Sequence, residues 1–527
     1  MTDISDRAEK SNADIPVLIV GAGPTGLVLA LWLTRLGIAV RIIDKTAEPG
    51  TTSRALAVQA RTLEFYRQLD IADAVVDGGV KIAGVNLWVK SAQAARVPLQ
   101  KIGEGRTPFP FALVFPQDAH ERLLIERLEA LGIKVERRTE LVRFEQDAAG
   151  VRAVLKRPDS SEEICQAGYL AGCDGASSTV RESLAIGFPG GTYAGLFYVA
   201  DVEASGPATN YELHIDLDES DLLIVFPMKG DGCVRLVGSV REKPGKEDHE
   251  WTFADVGSRA IEHLKLNVAK VNWFSTYRVH HRVANSFRKG RAFLLGDAAH
   301  IHSPVGGQGM NTGIGDAVNL AWKLAAVLRG TAAESLLDTY EPERIGFARR
   351  LVATTDRGFT LVTAQGRLAR FVRTRLVPLI LPPLFRVPGM RSFFFRTVSQ
   401  TGIEYRHSPL SMGAAGRVHG GDRLPWVETA SVAKGLNETG THRDNFAPLT
   451  SLTWQVHIYG DPRPGVAEAC AALRLPLHVF PWQPAMRRSG LLRNALYLIR
   501  PDGYIALAAP TGDPKRLAPY FQSRGLK

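Results

Sequence analysis

The chain has 527 residues, enough for about three domains, and its 45% hydrophobic and 22% charged residues are ordinary for a globular protein. The formal net charge of +10 favours anionic ligands, but no basic run is interleaved with aromatic residues, so nucleic-acid binding is not expected. The four cysteines have neither C-x-x-C nor metal-ligand spacing and residues 1–14 hold no secretory signal, so we expect reduced thiols, no metal and a cytoplasmic protein.

A short apolar strand over 15–20 runs into a glycine-rich turn, GAGPTG at 21–26, with the spacing G-x-G-x-x-G. In such a turn the first glycine permits the bend, the second leaves room for a pyrophosphate, and the third lets the helix pack on the strand. A helix over 25–36 and a strand over 39–43 are predicted next. Asp44 ends that strand 18 residues after Gly26, near the separation of about 20 typical of an acid that accepts ribose hydroxyls. A dinucleotide site is therefore predicted.

Arg54 and Gln117, later in the chain, each have both a functional and a structural interpretation. Arg54 follows a polar loop, where a guanidinium can pair with a pyrophosphate, although a solvated surface arginine fits equally well. Gln117 precedes a helix predicted over 119–131 and is either a ligand contact or a simple turn residue. A strand over 133–137 and a β-ribbon opening at Leu141 follow.

A strand that ends in Asp-Gly forms the second informative stretch, over 169–181. Ser177 or Ser178 would cap the helix after it, and Arg181 falls within the first turn of that helix. Taken alone this is a common strand-to-helix turn, whose helix start favours an anion.

Alternating strands after residue 195 predict an antiparallel sheet that covers a pocket. Strands over 222–228 and 233–240 are joined by a Gly-Asp-Gly hairpin signal. Alternation alone predicts that Tyr211, Phe226 and Pro227 line the pocket. His214 falls on the polar face of a strand near 211–217, where we expect it to be solvated rather than catalytic.

A buried strand delivers Asp297 into the third stretch, GDAAHIHSPVGGQGMNTG at 296–313. A carboxylate there can accept hydrogen bonds from a polyol, and a helix predicted from Met310 to Leu328 presents free amides at its start. His300 and His302 lack metal-ligand spacing and are interpreted as structural.

The apolar run 376–384 contains three prolines and is too short to span a bilayer. Its flanking arginines would allow contact with a membrane surface, but an inter-domain segment is the favoured interpretation. The last part of the chain predicts a strand over 451–459, a helix over 466–473, a strand over 475–480, a hairpin over 495–508 and a helix over 515–523.

The three stretches, in this order, resemble the motifs of the single-component FAD-dependent aromatic hydroxylases of the p-hydroxybenzoate hydroxylase and phenol hydroxylase type, and the resemblance covers essentially the whole chain. It implies an α/β fold with a Rossmann-like FAD-binding domain over 1–194 and 286–400, in which the tail 1–13 is flexible. An antiparallel β-sheet substrate domain is inserted over 195–285. A thioredoxin-like α/β domain without C-x-x-C would occupy 401–527.

The resemblance also implies roles for individual residues. Asp44 would accept from the adenosine ribose, Asp297 would bind the ribityl chain, and Pro304 would lie beside the substrate. Main-chain donors at the start of the long helix would face the flavin pyrimidine edge. The implied FAD contacts are Gly21, Ala22, Gly23, Pro24, Thr25, Gly26, Asp44, Lys45, Arg54, Gln117, Leu141, Asp297, Pro304, Gly309, Met310 and Asn311. The expected substrate contacts are Tyr211, Phe226, Pro227 and Pro304.

The implied reaction uses NAD(P)H and O2 to hydroxylate a phenolic or other electron-rich aromatic ring through a flavin C4a-hydroperoxide. A related Baeyer–Villiger, epoxidising or antibiotic-modifying monooxygenase shares the same motifs, and a non-catalytic flavin protein is the third interpretation. The sequence names no acid–base residue. It leaves open the choice between NADH and NADPH and between a monomer and a homodimer.

Replacing Asp297 by alanine is expected to weaken FAD binding by about tenfold or more, because hydrogen bonds to a charged acceptor are lost. The variant should purify pale, and fluorescence titration should give a higher Kd for FAD. A fully yellow protein with unchanged FAD affinity would mean that the ribityl chain binds elsewhere.

Overall fold

Four β-sheets and fourteen α-helices make up the part of the chain that the structure describes. The computed structural model describes residues 15–50, 55–100, 102–217, 222–240, 251–256, 258–303, 306–363, 366–429 and 443–527. Arg54, Pro304 and the tail 1–13, all subjects of predictions, lie outside these residues. The strands are β1 Ile15–Val20, β2 Val40–Asp44, β3 Ala57–Val58, β4 Val80–Ile82, β5 Gly84–Val89, β6 Ala92–Pro98, β7 Ala112–Val114, β8 Glu136–Arg137, β9 Glu140–Gln146, β10 Val151–Lys156, β11 Glu162–Gly172, β12 Gly190–Ser205, β13 Leu213–Asp216, β14 Leu223–Pro227, β15 Cys233–Val240, β16 Asn267–Val283, β17 Arg288–Lys289, β18 Ala292–Leu294, β19 His300–Ile301, β20 Met412–Ala415, β21 Val418–His419, β22 Gln455–Tyr459, β23 Leu477–Phe480, β24 Leu496–Ile499 and β25 Ile505–Ala509. The α-helices are α1 Pro24–Arg35, α2 Ala60–Gln68, α3 Ala72–Gly78, α4 Gln117–Ala130, α5 Thr179–Ser183, α6 Ser258–His263, α7 Gly309–Leu328, α8 Tyr340–Thr363, α9 Arg367–Phe371, α10 Val377–Arg386, α11 Pro388–Val398, α12 Val466–Ala472, α13 Pro484–Arg488 and α14 Leu517–Gln522.

The first sheet is built around β1, which lies parallel between β11 and β2. Its strand order is β17-β18-β11-β1-β2-β8, and β10 and β9 are added antiparallel beside β11. Val17, Leu18 and Ile19 of β1 are fully buried, because a strand inside a parallel sheet needs apolar side chains on both faces. The predicted strand, glycine-rich turn and helix are therefore present in the expected order.

The second sheet has the order β19-β16-β12-β15-β14-β13-β5-β6. Its two longest strands are β12 and β16, with 16 and 17 residues. The hairpin of β14 and β15 is present as predicted. The sheet also includes β5 and β6, because β5 pairs in parallel with β13. Those two strands come from a stretch that sequence analysis assigned to the FAD-binding domain.

Two expectations for the second sheet are wrong. His214 is buried rather than solvated: its Nδ1 accepts from Trp88 Nε1 at 2.9 Å and its Nε2 bonds Asn210 Oδ1 at 2.7 Å. Burial lowers the pKa of His214 to about 4, so the ring stays neutral near pH 7. Tyr211 precedes β13 in a turn with φ of +61°, is 45% exposed and donates to Asp231 Oδ1 at 3.0 Å. Tyr211 therefore does not continue the alternation of the strand.

The C-terminal unit forms a six-stranded sheet with the order β21-β20-β25-β24-β22-β23. β22 and β23 are parallel and connected through α12, whereas β24 pairs antiparallel with both β22 and β25. This is the predicted order of strand, helix, strand, hairpin and helix. Its assignment as a thioredoxin-like domain stays a prediction.

Three helices, α9, α10 and α11, connect α8 to the C-terminal unit. Pro378 lies in the first turn of α10, and Pro382 and Pro383 lie inside it, but the run stays helical. A π-helical turn over Val372–Leu376 precedes α10. None of the helices in the described ranges is long and apolar enough to cross a membrane.

A buried network of charges joins the C-terminal unit to helices α7 and α8. Glu343 of α8 accepts from Lys323 Nζ at 2.9 Å and from both terminal nitrogens of Arg500 at 2.8 and 3.0 Å. Arg500, which follows β24, also donates from Nε to Asp502 Oδ1 at 3.0 Å. These side chains are at most 1% exposed. Burial lowers the pKa of Lys323 to about 8. Burial alone would raise the pKa of Glu343, but the charges of Arg500 and Lys323 hold that pKa well below its usual range.

Replacing Glu343 by glutamine should lower the free energy of unfolding by about 3–5 kcal/mol, because Lys323 and Arg500 would keep buried charges without their shared carboxylate. Chemical denaturation of the full chain measures the change. The control is Asp461→Asn, which breaks an exposed ion pair with Arg493 of 3.1 Å and should cost no more than about 0.5–1 kcal/mol. Equal losses in the two variants would contradict the role given to the network.

Candidate active site

The glycine-rich turn between β1 and α1 is tightly packed at its first and third glycines and open at its second. Gly21 has φ of +102°, its N–H donates to Ile43 O at 2.8 Å, and a Cβ there would lie 2.3 Å from Cys173 O. A Cβ on Gly26 would lie 2.0 Å from Gly21 O, whereas one on Gly23 would meet no atom within 4 Å. The open space at Gly23 adjoins the positive end of α1, where a pyrophosphate can approach the backbone.

Asp44, predicted to accept from a ribose, ends β2 beside this turn. Its Oδ2 accepts from Ala22 N at 2.7 Å, and its Oδ1 accepts from Thr46 N and Oγ1 at 2.8 and 2.6 Å. These three donors leave about one of the roughly four acceptor positions of the carboxylate. Asp44 therefore ties β2 to the turn and retains capacity for one further donor.

The other predicted contacts in this half of the site are in different surroundings. Gln117 is the first residue of α4, and its Nε2 donates to Glu121 Oε1 at 2.8 Å. Glu121 Oε2 accepts in turn from Gly50 N at 3.0 Å, which holds the loop after β2. Lys45 is exposed, whereas Leu141 is buried within the main hydrophobic core. The Leu141 side chain therefore contributes to packing.

The second motif contains a buried acceptor without a partner. Ser178 caps α5, since Arg181 N donates to its Oγ at 3.0 Å. Asp174 Oδ2 accepts from Val180 N at 3.1 Å, but its buried Oδ1 has no hydrogen-bond partner within the described ranges. Burial raises the pKa of Asp174. Arg181 Nη1 donates to Ala298 O at 3.1 Å and so links this motif to the third one.

The first and third motifs meet at Thr25. A Cβ on Gly296 would lie 2.7 Å from Thr25 Oγ1, and a Cβ on Gly313 would lie 2.3 Å from the same atom. Asp297 follows Gly296 and is exposed, although residues 292–296 and 298–300 on either side of it are buried. Its carboxylate is therefore at the surface next to the glycine-rich turn, as a group that contacts a bound dinucleotide should be.

Asp316, which sequence analysis missed, organises the third motif from within α7. Its Oδ2 accepts from Gly296 N at 3.0 Å and His300 Nε2 at 2.7 Å, and its Oδ1 accepts from Arg344 Nε at 2.6 Å. Burial would raise the pKa of Asp316, but the Arg344 and His300 charges lower it below its usual value. The available signal was that Asp316 is the only acid of α7. His300 is structural, as interpreted.

The start of α7 offers main-chain donors but no free side-chain amide. The Asn311 carboxamide is buried and makes four hydrogen bonds of 2.7 or 2.8 Å, with Gln59 N, Thr62 Oγ1, Ala57 O and Gly307 O. The N–H groups of Gly309, Met310 and Asn311 open the helix, where geometry leaves them without intrahelical acceptors. These amides favour negative charge. His302 Nδ1 lies 2.8 Å from Ser303 O, and burial lowers its pKa to about 4.

One face of the second sheet packs against the main hydrophobic core, which also contains residues of the three motifs. Phe226 is half-buried against the main core, whereas its neighbour Val225 belongs to a separate core on the other face. Pro227 alternates with Phe226 and so shares the face of Val225 rather than the predicted pocket. Arg235 pairs with Phe226 across the strands, and its Nη2 donates to Asp201 Oδ2 at 2.7 Å.

Two aspects of this face were not anticipated. The buried guanidinium of Arg235 and the carboxylate of Asp201 form an ion pair within the sheet. Trp273 pairs with Asp201 across the strands, and its ring centre lies 5.7 Å from the guanidinium. No local pattern marks these residues, because a strand pairing creates their contact.

Comparison with known proteins identifies the family to which this chain belongs. The family model of an FAD binding domain matches residues 14–355. The chain is 34% identical over 526 residues to 6-methylpretetramide 4-monooxygenase of Streptomyces rimosus, a match that covers 94% of this chain and 91% of that protein. This chain belongs to the FAD-dependent aromatic monooxygenases. Pentachlorophenol 4-monooxygenase of Sphingobium chlorophenolicum is 32% identical to this chain over 432 residues, a match that covers 80% of this chain and 78% of that protein. The OxyS anhydrotetracycline hydroxylase of Streptomyces rimosus superposes with a TM-score of 0.77 at 30% identity, covering 97% of this chain and 99% of that one.

The monooxygenase uses FAD, and NAD(P)H is the usual reductant of its family. The residues present fit the cofactor, because the open space at Gly23, the partnerless Oδ1 of Asp174 and the exposed Asp297 carboxylate are all features that a bound dinucleotide would satisfy. Within the described ranges no group of three or more His, Cys, Asp or Glu is arranged to hold a metal ion.

Gly23→Ala and Gly26→Ala should impair different properties of the monooxygenase. Gly23 has φ of −74°, which alanine tolerates, so a methyl group there should leave the fold intact and weaken FAD binding by about tenfold or more through crowding of the pyrophosphate. The Gly26 methyl group would collide with Gly21 O and should destabilise the protein by about 1–3 kcal/mol. FAD titration and thermal unfolding of the apoprotein measure the two effects. Loss of stability in Gly23→Ala with normal FAD affinity would contradict this division of roles.

Proposed function

We propose that this monooxygenase hydroxylates an extended phenolic ring system of the aromatic polyketide type. The observation that carries the proposal is the mixed character of the sheet face toward the flavin motifs. Phe226 and Trp273 offer aromatic surface, and the ion pair of Arg235 with Asp201 lies between them. An extended ring system with several oxygen substituents matches such a face better than a small, purely apolar ring does. The near full-length similarity to 6-methylpretetramide 4-monooxygenase supports the same choice.

In this proposal the cofactor contacts are those that the resemblance implies. The pyrophosphate would lie at Gly23, the adenosine ribose at Asp44 and the ribityl chain at Asp297. The amides of Gly309 to Asn311 would face the pyrimidine edge. Arg54 and Pro304 keep the roles implied by the resemblance, as further parts of this proposal. Bound FAD supplies hydride acceptance from NAD(P)H and oxygen activation.

The protein contributes position, charge and exclusion of water. The positive end of α7 stabilises negative charge where the pyrimidine edge would bind. Phe226, packed against the core, keeps water from the reacting centre. Asp201 keeps about a fifth of its side chain accessible while Arg235 holds its carboxylate, so it can accept a hydrogen bond from a substrate hydroxyl. We further infer that the enzyme is cytoplasmic and is either a monomer or a homodimer. Sedimentation of the purified protein would distinguish these two oligomeric states.

The test is NAD(P)H oxidation by the purified yellow protein with a panel of monocyclic and polycyclic phenols, scoring hydrogen peroxide and product mass together. A polycyclic phenol should accelerate oxidation and gain one oxygen on a ring. Phe226→Ala should raise the peroxide fraction several-fold because water enters, whereas Tyr211→Ala, on the exposed turn of the same sheet, should not. Acceleration by monocyclic phenols alone would overturn the substrate class. A lactone or epoxide product would assign the Baeyer–Villiger or epoxidising alternative.

A further inference from the structure

Exposed apolar side chains are concentrated on α9, α10 and α11. Of the fifteen large apolar side chains exposed in the described residues, eight lie between Leu368 and Phe394. Leu368, Leu379 and Phe393 are 77, 72 and 68% exposed. Single exposed apolar residues are ordinary on protein surfaces, but a concentration of this kind is typical of an interaction site.

The same stretch has a local excess of positive charge. We define the basic segment as residues 366–403, which contain seven arginines and no Asp, Glu or Lys, giving a formal charge of +7. The arginines with exposed side chains include Arg367, Arg370, Arg375, Arg386 and Arg396. Apolar and cationic side chains are thus presented together on short neighbouring helices.

The basic segment is held on the body of the enzyme by a few buried contacts. Phe385 and Phe395 are buried, and the Phe395 ring packs on Gly103 so closely that a Cβ there would lie 2.3 Å from it. Gln308 Nε2 donates to Val398 O at 2.8 Å at the end of α11. Because these anchors occupy one side of the helices, the exposed leucines and phenylalanines remain on the outside.

We propose that the basic segment attaches the enzyme to the surface of an anionic lipid bilayer. Helices with exposed Leu and Phe beside arginines lie in the membrane interface, with the apolar side chains at the acyl boundary and the guanidinium groups on lipid phosphates. With ten and eleven residues, α10 and α11 are too short to cross the bilayer, so the contact is with its surface.

Two other occupants of this surface, a second copy of the chain and an acidic protein, fit it less well. A second copy of the chain at this surface would set +7 against +7, which repels. An acidic protein would match the charge, but it would also need separate pockets for the widely exposed Leu368, Leu379 and Phe393. A fluid bilayer surrounds such side chains without preformed pockets.

The test is flotation of the FAD-loaded full chain with vesicles of phosphatidylcholine, either pure or containing phosphatidylglycerol. Binding to the anionic vesicles should exceed binding to the neutral ones by at least about tenfold. It should weaken steeply as the NaCl concentration rises, because salt screens the attraction between the arginines and the lipid phosphates.

Two triple variants separate the apolar and the cationic contributions. The apolar variant is Leu368→Ser with Leu379→Ser and Phe393→Ser, and the cationic variant is Arg375→Gln with Arg386→Gln and Arg396→Gln. Each should reduce binding to anionic vesicles by at least about tenfold. Matched controls change exposed residues elsewhere: Leu131→Ser with Ile164→Ser and Leu492→Ser, and Arg143→Gln with Arg152→Gln and Arg487→Gln. The controls should bind like the original chain.

All four variants should keep their FAD content and their NAD(P)H oxidation in the absence of vesicles, so this test is independent of the proposed substrate. Equal binding to neutral and anionic vesicles, no binding at low salt, or equal losses in the control variants would overturn the proposal. Self-association that the apolar variant abolishes, or binding to polyglutamate without binding to vesicles, would overturn it in favour of a protein partner.

Discussion

The buried carboxylate of Asp316 connects the parts of the monooxygenase that must keep a fixed geometry. It holds Gly296 N, His300 and Arg344 within 3.0 Å. Arg344 then donates to Thr312 O at 3.0 Å and to the Tyr405 hydroxyl at 2.8 Å. An ionised carboxylate is tolerated in a protein interior only when such donors are all in place. The strand end that carries Asp297, the start of α7 and the entry to the C-terminal unit are therefore fixed together.

Close backbone approach is the second constraint. Gly26 lies against Gly21, and Thr25 fits between Gly296 and Gly313, so α1 and α7 meet with no room for larger residues. The starts of both helices are thereby brought to one side of the first sheet, where their positive ends favour the negative charges of a dinucleotide. The one glycine of the turn that has free space, Gly23, is the one at which a phosphate can approach.

Arginine serves two distinct purposes in this molecule. Several buried arginines have carboxylate partners: Arg61 pairs with Glu64, Arg235 with Asp201, and Arg500 with Glu343 and Asp502. The pairs of Arg235 with Asp201 and of Arg500 with Glu343 join segments that are far apart in the chain, and removing either partner would leave an uncompensated buried charge. The basic segment contains no carboxylate of its own. Its charge is therefore directed outward, where an anionic surface can complement it.

The sequence by itself determined the glycine-rich turn, the two other motifs, the α/β class and the position of Asp297 after a buried strand, because each depends on local spacing, propensity and capping. Only the tertiary structure decided the surroundings of the remaining residues. β5 joined the second sheet through β13, His214 became buried against Trp88, and Asn311 used its whole carboxamide inside the protein. Asp316 and the pair of Arg235 with Asp201 became partners of groups far away in the chain. These outcomes depend on which faces of the strands and helices pack together. The periodicity of a single segment shows which of its faces is apolar but does not specify which other segment packs on that face.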